Sequence, residues 1–174
     1  MPSRLKRVLY PVPQNEDLCL LMRACPDQEF LKHCYDTIEA NLGDIDPNFM
    51  GFLTDYVRIA DMLTDHSRED SKLFAGRKWQ IYDIGCAYGF QHVFFCDHHG
   101  YLGLAPGNTA KAFTPNAIFM DGRIEDVEEK IAAHIKNLPP DVTPFGIANM
   151  SIGHNRNKAM EAFDRLFIRK WVMY

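Results

Sequence analysis

The chain predicts an α/β fold: a mainly parallel sheet of about five strands, helices on both faces, and an α-helical N-terminal extension before it. Three observations carry that expectation. After Lys78, short apolar runs alternate with segments of helical periodicity. The first run, Trp79 to Ile84, leads into a turn rich in glycine. Before Lys78, apolar residues recur at helical spacing. The boundary therefore falls between a helical extension over 1–77 and an α/β domain over 78–174.

The extension reads as a series of short helices. Asn15, Glu16 and Asp17 can cap a helix that carries Leu18, Leu21 and Met22 inwards. Pro26 opens the next, with Phe30, Leu31, Cys34, Tyr35, Ile38 and Leu42 on one face and Gly43 at its end. Asp46-Pro47 repeats the start signal ahead of Phe49, Phe52, Leu53, Tyr56, Ile59, Ala60 and Leu63. Ser67 suits the cap of a further short helix ending near Gly76.

The second part alternates. Strands are expected over 79–84, 101–105, 117–120, 145–150 and 166–173, with 79–84 central. Phe90 to His99 reads as a helix closed by Gly100. Ile124 to Leu138 is the clearest amphipathic helix, with Val127, Ile131 and Ile135 on one face and Pro139-Pro140 as its stop. Asn155 to Arg165 is the last helix. In such sheets ligands bind at the carboxyl ends of the strands, where the strand order reverses.

Bulk composition narrows the function classes. A net charge of -4 gives no general attraction to nucleic acid or anionic membranes, although Arg4, Lys6 and Arg7 cluster at one end. Five cysteines without a C-x-x-C spacing fit reduced, buried thiols and a cytoplasmic protein. Pro11 and Pro13 interrupt any signal-peptide core, and no apolar run reaches membrane-spanning length. His92, Cys96, Asp97, His98 and His99 include metal-ligand types, but a helix covering a sheet buries such residues without a metal, so no metal is expected. No G-x-S-x-G nucleophile elbow occurs.

The turn after the first strand reads Asp83-Ile84-Gly85-Cys86-Ala87-Tyr88-Gly89. It resembles motif I (D-x-G-x-G-x-G) of the class I S-adenosylmethionine-dependent methyltransferases, which have a Rossmann-like fold. The dinucleotide pattern G-x-G-x-x-G would need glycine where Ala87 and Phe90 stand, which argues against NAD and FAD. The resemblance covers about 78–174 and implies S-adenosyl-L-methionine as cofactor, with Asp83 near its amino acid part. It implies cofactor contacts from Gly85, Cys86, Ala87, Tyr88 and Gly89, from Ala105 after the second strand, from Asp121, Gly122 and Arg123 after the third, and from Asn149 after the fourth. Asn149 and His154 are the candidates for a catalytic contact.

Three departures accompany the resemblance. Ala105 stands where the family places an acid for the ribose hydroxyls, and Arg123 stands where an Asp approaches the adenine amino group. The chain ends with the strand that the family follows with a hairpin, and no N/D-P-P-Y/F motif is present. Two functions follow: a methyltransferase of unspecified acceptor with weak cofactor binding, or a methyltransferase-like protein that binds or regulates without catalysis. The terminal strand, carrying Phe167, Ile168, Trp171 and Val172, is expected at a sheet edge, covered either by self-association into a homodimer, the favoured reading, or by the N-terminal helices.

Overall fold

In the computed structural model the described residues are Tyr56, Ile59, Ala60, Met62 and Leu63, most of 77–148, then 156–167 and 171–173; positions 88, 97, 109, 111 and 113 are outside them. The chain forms two compact units, 1–60 and 61–174, and the sheet lies in the second. Tyr56, Ile59, Ala60, Met62 and Leu63 are helical, as their spacing requires. The other helices expected over 1–77 lie outside the described residues.

Four strands make the body of the sheet: β1 (Lys78–Ile84), β2 (Gly100–Ala105), β3 (Ala117–Asp121) and β4 (Val142–Ala148). A three-residue strand, β5 (Trp171–Met173), extends it. The order is β3-β2-β1-β4-β5 and every pairing is parallel. β1 is therefore central, and the strand order reverses between β1 and β4. Six of its seven residues are buried, the pattern of a strand covered on both faces.

Alternation along β1 and β2 separates two layers. Tyr82, Ile84, Leu102 and Leu104 face helices α1 (Ile124–Lys136) and α2 (Arg156–Phe167), and form one core with Ile124, Val127, Ile131, Phe163 and Phe167. Asp83, Tyr101 and Gly103 belong to the other face, below the β1–β2 connection. The connections from β1 to β2 and from β3 onward thus use opposite faces, as right-handed crossovers demand when the strand order reverses.

α1 begins with Glu125 and Asp126 in its first turn and ends with His134 and Lys136 in its last, each sign suited to the helix dipole. The Tyr82 hydroxyl meets His134 Nδ1 at 2.7 Å, tying α1 to the central strand. Gly146 lets α2 approach the sheet: a Cβ there would lie 2.5 Å from the Phe167 ring. Arg165 links α2 to α1 by a bidentate bond to Glu128, at 2.8 and 2.9 Å, on a solvent-exposed surface.

The structure corrects three expectations. The segment after Gly89 is a five-residue 3-10 helix, Phe90–Phe94, rather than a helix reaching His99. Bonds from Phe95 N and Cys96 N to His92 O, and from His98 N and His99 N to Phe95 O, turn the chain tightly into β2. β4 starts at Val142, three residues early, because its first residues pair with Lys78 to Gln80. Leu166 and Phe167 are the end of α2 and are buried, so they leave the terminal strand shorter and less apolar than the sequence implied. β5 does lie at the edge of the described sheet.

His99 closes the opposite end of β1. It is buried, and its Nδ1 accepts the Trp79 backbone N–H at 3.3 Å, while Nε2 has no partner among the described residues. Burial first, and then neighbouring His98, push its pKa from the ordinary 6.5 down to about 4. The unfolded chain therefore binds a proton in this window that the folded chain does not. Burial of the ring thus leaves stability unaffected above about pH 6.5 and lowers it progressively as pH falls from there towards 4. His99→Asn keeps an acceptor but cannot titrate. Urea unfolding at pH 7 and pH 4.5 should show a smaller loss of stability in that variant than in the parent; equal losses would remove His99 from the account.

Candidate functional site

The residues singled out by the glycine turn meet at the carboxyl ends of β1, β2 and β3. Gly85, Ala87 and Gly89 all have positive φ, of 79, 49 and 68 degrees. Two of these are glycines, for which that conformation is easy; Ala87 adopts it at a steric cost. Gly89 also has no room for a side chain, since a Cβ would lie 2.3 Å from the Phe119 ring. The alternation of glycine in the sequence thus encodes a left-handed turn, and Ala87 takes part in it without being glycine.

The turn is held from within. Gly85 N and Cys86 N both donate to Leu104 O, at 2.6 and 3.1 Å, and Gly89 N donates to Cys86 O at 2.8 Å. These amides are committed to the fold. The following 3-10 helix is too short to develop the dipole that a full helix would aim at an anion.

Asp83 is completely buried. Its Oδ2 accepts from the Tyr101 hydroxyl and, at 2.6 Å, from Gln91 Nε2. The same Gln91 amide donates to Cys86 O at 2.9 Å. Asp83 therefore anchors the turn from beneath, and its carboxylate acts on the crevice through that turn. His92 supports the same layer: its Nδ1–H donates to Gly89 O at 2.6 Å, and burial lowers its pKa, favouring the neutral ring.

Cys86 is buried below the turn. Asn108 Nδ2 donates to its sulfur at 3.3 Å. Burial, reinforced by Asp83, pushes the thiol pKa well above its ordinary value, so the group stays protonated and is no nucleophile at neutral pH. Ala87 is exposed. Tyr88, Asn149 and His154 lie outside the described residues, so the structure adds nothing on the contacts expected of them.

The second and third strands end side by side. Ala105 is paired with Asp121 in the sheet, and Gly122 N donates to Ala105 O at 3.2 Å. Asp121 is exposed, and its Oδ1 accepts the Gly107 N–H at 2.5 Å. Arg123 is the exposed residue at the start of α1 and makes no side-chain cap. The sequence named these residues but gave no sign that Asp121 reaches across the end of β2. Asn108 and Gln91, which fix the loop and the turn, were missed because neither stands at a glycine or acidic motif position.

Among the described residues, no three His, Cys, Asp or Glu side chains come together as metal ligands, and no helix is long and apolar enough to cross a membrane. A surface hollow along α1, lined by Glu125, Asp126, Glu128 and Glu129, contains none of the turn residues. Compared with known families and curated sequences, the chain matches neither a family model nor a curated relative.

The turn makes opposite predictions at adjacent small residues. Ala87→Gly relieves a left-handed alanine and should stabilise the domain by about 0.5–1 kcal/mol after the extra freedom of the unfolded chain is counted. Gly89→Ala adds both that strain and a collision with Phe119, for a loss of about 2–4 kcal/mol. Chemical denaturation of both variants checks the pair, and destabilisation by Ala87→Gly would contradict the turn geometry.

Proposed function

We propose that the sheet domain binds S-adenosyl-L-methionine and acts as a methyltransferase on an acceptor the sequence does not specify. The observation that carries the reading is the position of the left-handed Gly85–Gly89 turn. It follows the central strand, on the carboxyl side of a sheet whose strand order reverses there. The exposed Ala87 and the exposed Asp121 carboxylate border the same edge and suit a ligand with polar hydrogens. The cofactor supplies an electrophilic methyl group. In this reading the protein's part is to orient it: Asp83 and Gln91 fix the turn, the loop after β2 is fixed by Asn108 and Asp121, and Asn149 and His154 remain the candidates for a catalytic contact.

A second reading has a specific observation behind it. The amides of Gly85, Cys86 and Gly89 already bind backbone carbonyls, and Ala105 has no acceptor group. Those features favour a methyltransferase-like domain that binds or regulates without catalysis.

Calorimetric titration with S-adenosylhomocysteine separates these proposals from a fold with no ligand. Weak binding is expected, in the micromolar range or above, because these turn amides add little. Amide chemical-shift changes should centre on 85–89, 105–108 and 121–123. No heat and no shift at millimolar ligand would reject the cofactor. Methyl transfer to a panel of acceptors then distinguishes enzyme from binding protein.

The proposal extends to a homodimer through β5, since the strand at the edge of the described sheet invites pairing. Light scattering at high concentration should give the mass of two chains; a strictly monomeric mass would reject it.

A further inference from the structure

We infer that Asp121–Gly122 is a site of spontaneous isoaspartate formation that the fold holds closed and that opens when the end of β3 frays. The inference is independent of the cofactor reading. The pair is the chain's single Asp-Gly step, and no Asn-Gly step occurs. Glycine has no side chain to shield its amide nitrogen from the preceding carboxyl group. In the reaction the Gly122 nitrogen attacks the side-chain carboxyl carbon of Asp121. A C–N bond forms, the carboxyl C–O bond breaks, and the hydroxyl leaves with the amide proton as water. The five-membered imide then takes up one water. Opening at the former main-chain carbonyl leaves the chain running through the Asp121 Cβ, with no change in mass. The steps balance without oxidant or reductant, and Asp121 is exposed, so water reaches it.

The fold makes demands on both halves of the pair. Gly122 has φ of 137 degrees, where a side chain is strained, and a Cβ there would lie 2.8 Å from Val127 Cγ1. Val127 belongs to the core beneath α1 and has little freedom to move aside. The Asp121 carboxylate holds the turn after β2 by accepting the Gly107 N–H at 2.5 Å. Replacing the glycine costs packing, and replacing the aspartate costs the turn contact. The same contacts keep the reacting atoms apart. The Gly122 N–H is given to Ala105 O at 3.2 Å, while the Asp121 side chain is drawn across to Gly107. Ring closure has to turn that side chain back onto its own main chain, so both bonds must break first. β3 pairs only with β2 among the described strands, and its end can therefore open without unfolding the sheet.

The test incubates the full chain and a synthetic peptide of residues 117–127 side by side at neutral pH. Electron-transfer mass spectrometry measures isoaspartate at position 121 in each. The peptide should isomerise readily, and the folded chain more slowly by about tenfold or more, the protection expected of two hydrogen bonds that must break together. Hydrogen exchange of the Gly122 amide should be slowed relative to the peptide by a similar factor. Urea below the unfolding transition should raise both rates in the chain together. Equal isomerisation in chain and peptide would overturn the inference. So would a chain that resists isomerisation while its Gly122 amide exchanges as fast as the peptide's, because the protection would then come from elsewhere. A peptide that stays unmodified would remove the site itself.

Discussion

Asp83 is a carboxylate on a strand with neighbours on both edges and layers on both faces. Water does not reach it. Leaving such a group without partners would cost several kcal/mol, so the surrounding structure has to supply donors. Tyr101 on β2 and Gln91 after the turn do so. Those two bonds set requirements on elements far apart in the chain. β2 must pair with β1 in the register that puts Tyr101 on the Asp83 face. The segment after Gly89 must fold back tightly enough for Gln91 to reach beneath the turn. Once there, Gln91 also binds Cys86 O and so determines the shape of the turn itself.

The left-handed turn and the close approach of Phe119 depend on that arrangement. Gly85 and Cys86 give their amides to Leu104, which binds the turn to β2. Gly89 leaves room for the Phe119 ring of β3, the strand that pairs with β2. Three strand ends are consequently held in one rigid edge. The polar groups left facing outward there come from β3 and from the loop after β2, while those of β1 are turned inward. This division separates residues that build the edge from residues that can contact a ligand.

The opposite face follows a simpler rule. α1 and α2 bury apolar stripes on Tyr82, Ile84, Leu102 and Leu104, and the closeness of α2 depends on the missing side chain at Gly146. Phe167 shows how packing overrides a local reading. In sequence it begins an apolar run that resembles a strand; in the fold it is the last residue of α2, with its ring 5.4 Å from that of Tyr82. The burial gained by completing the helix over the core exceeds what an edge strand could provide at that position.

The sequence by itself determined the α/β class, the central position of 79–84, the four main strands, and α1 and α2 to within a few residues. Those features follow from apolar periodicity, from glycine at turns and from proline at helix ends, all of which act over a few neighbouring residues. It also located the turn at Gly85–Gly89, because positive φ favours a recognisable residue type. Only the tertiary structure decided that Asp83 points inward, that the segment after Gly89 is a 3-10 turn, and that Asp121 reaches across to Gly107. Each of these depends on which side chain lies opposite in a neighbouring strand. Parallel pairing joins residues sixteen or more positions apart, as Tyr101 with Ala117, Asp83 with Gly103 and Tyr82 with Gly146. No local pattern encodes such a register; it is fixed when burial and hydrogen bonding on both faces of the sheet are satisfied together.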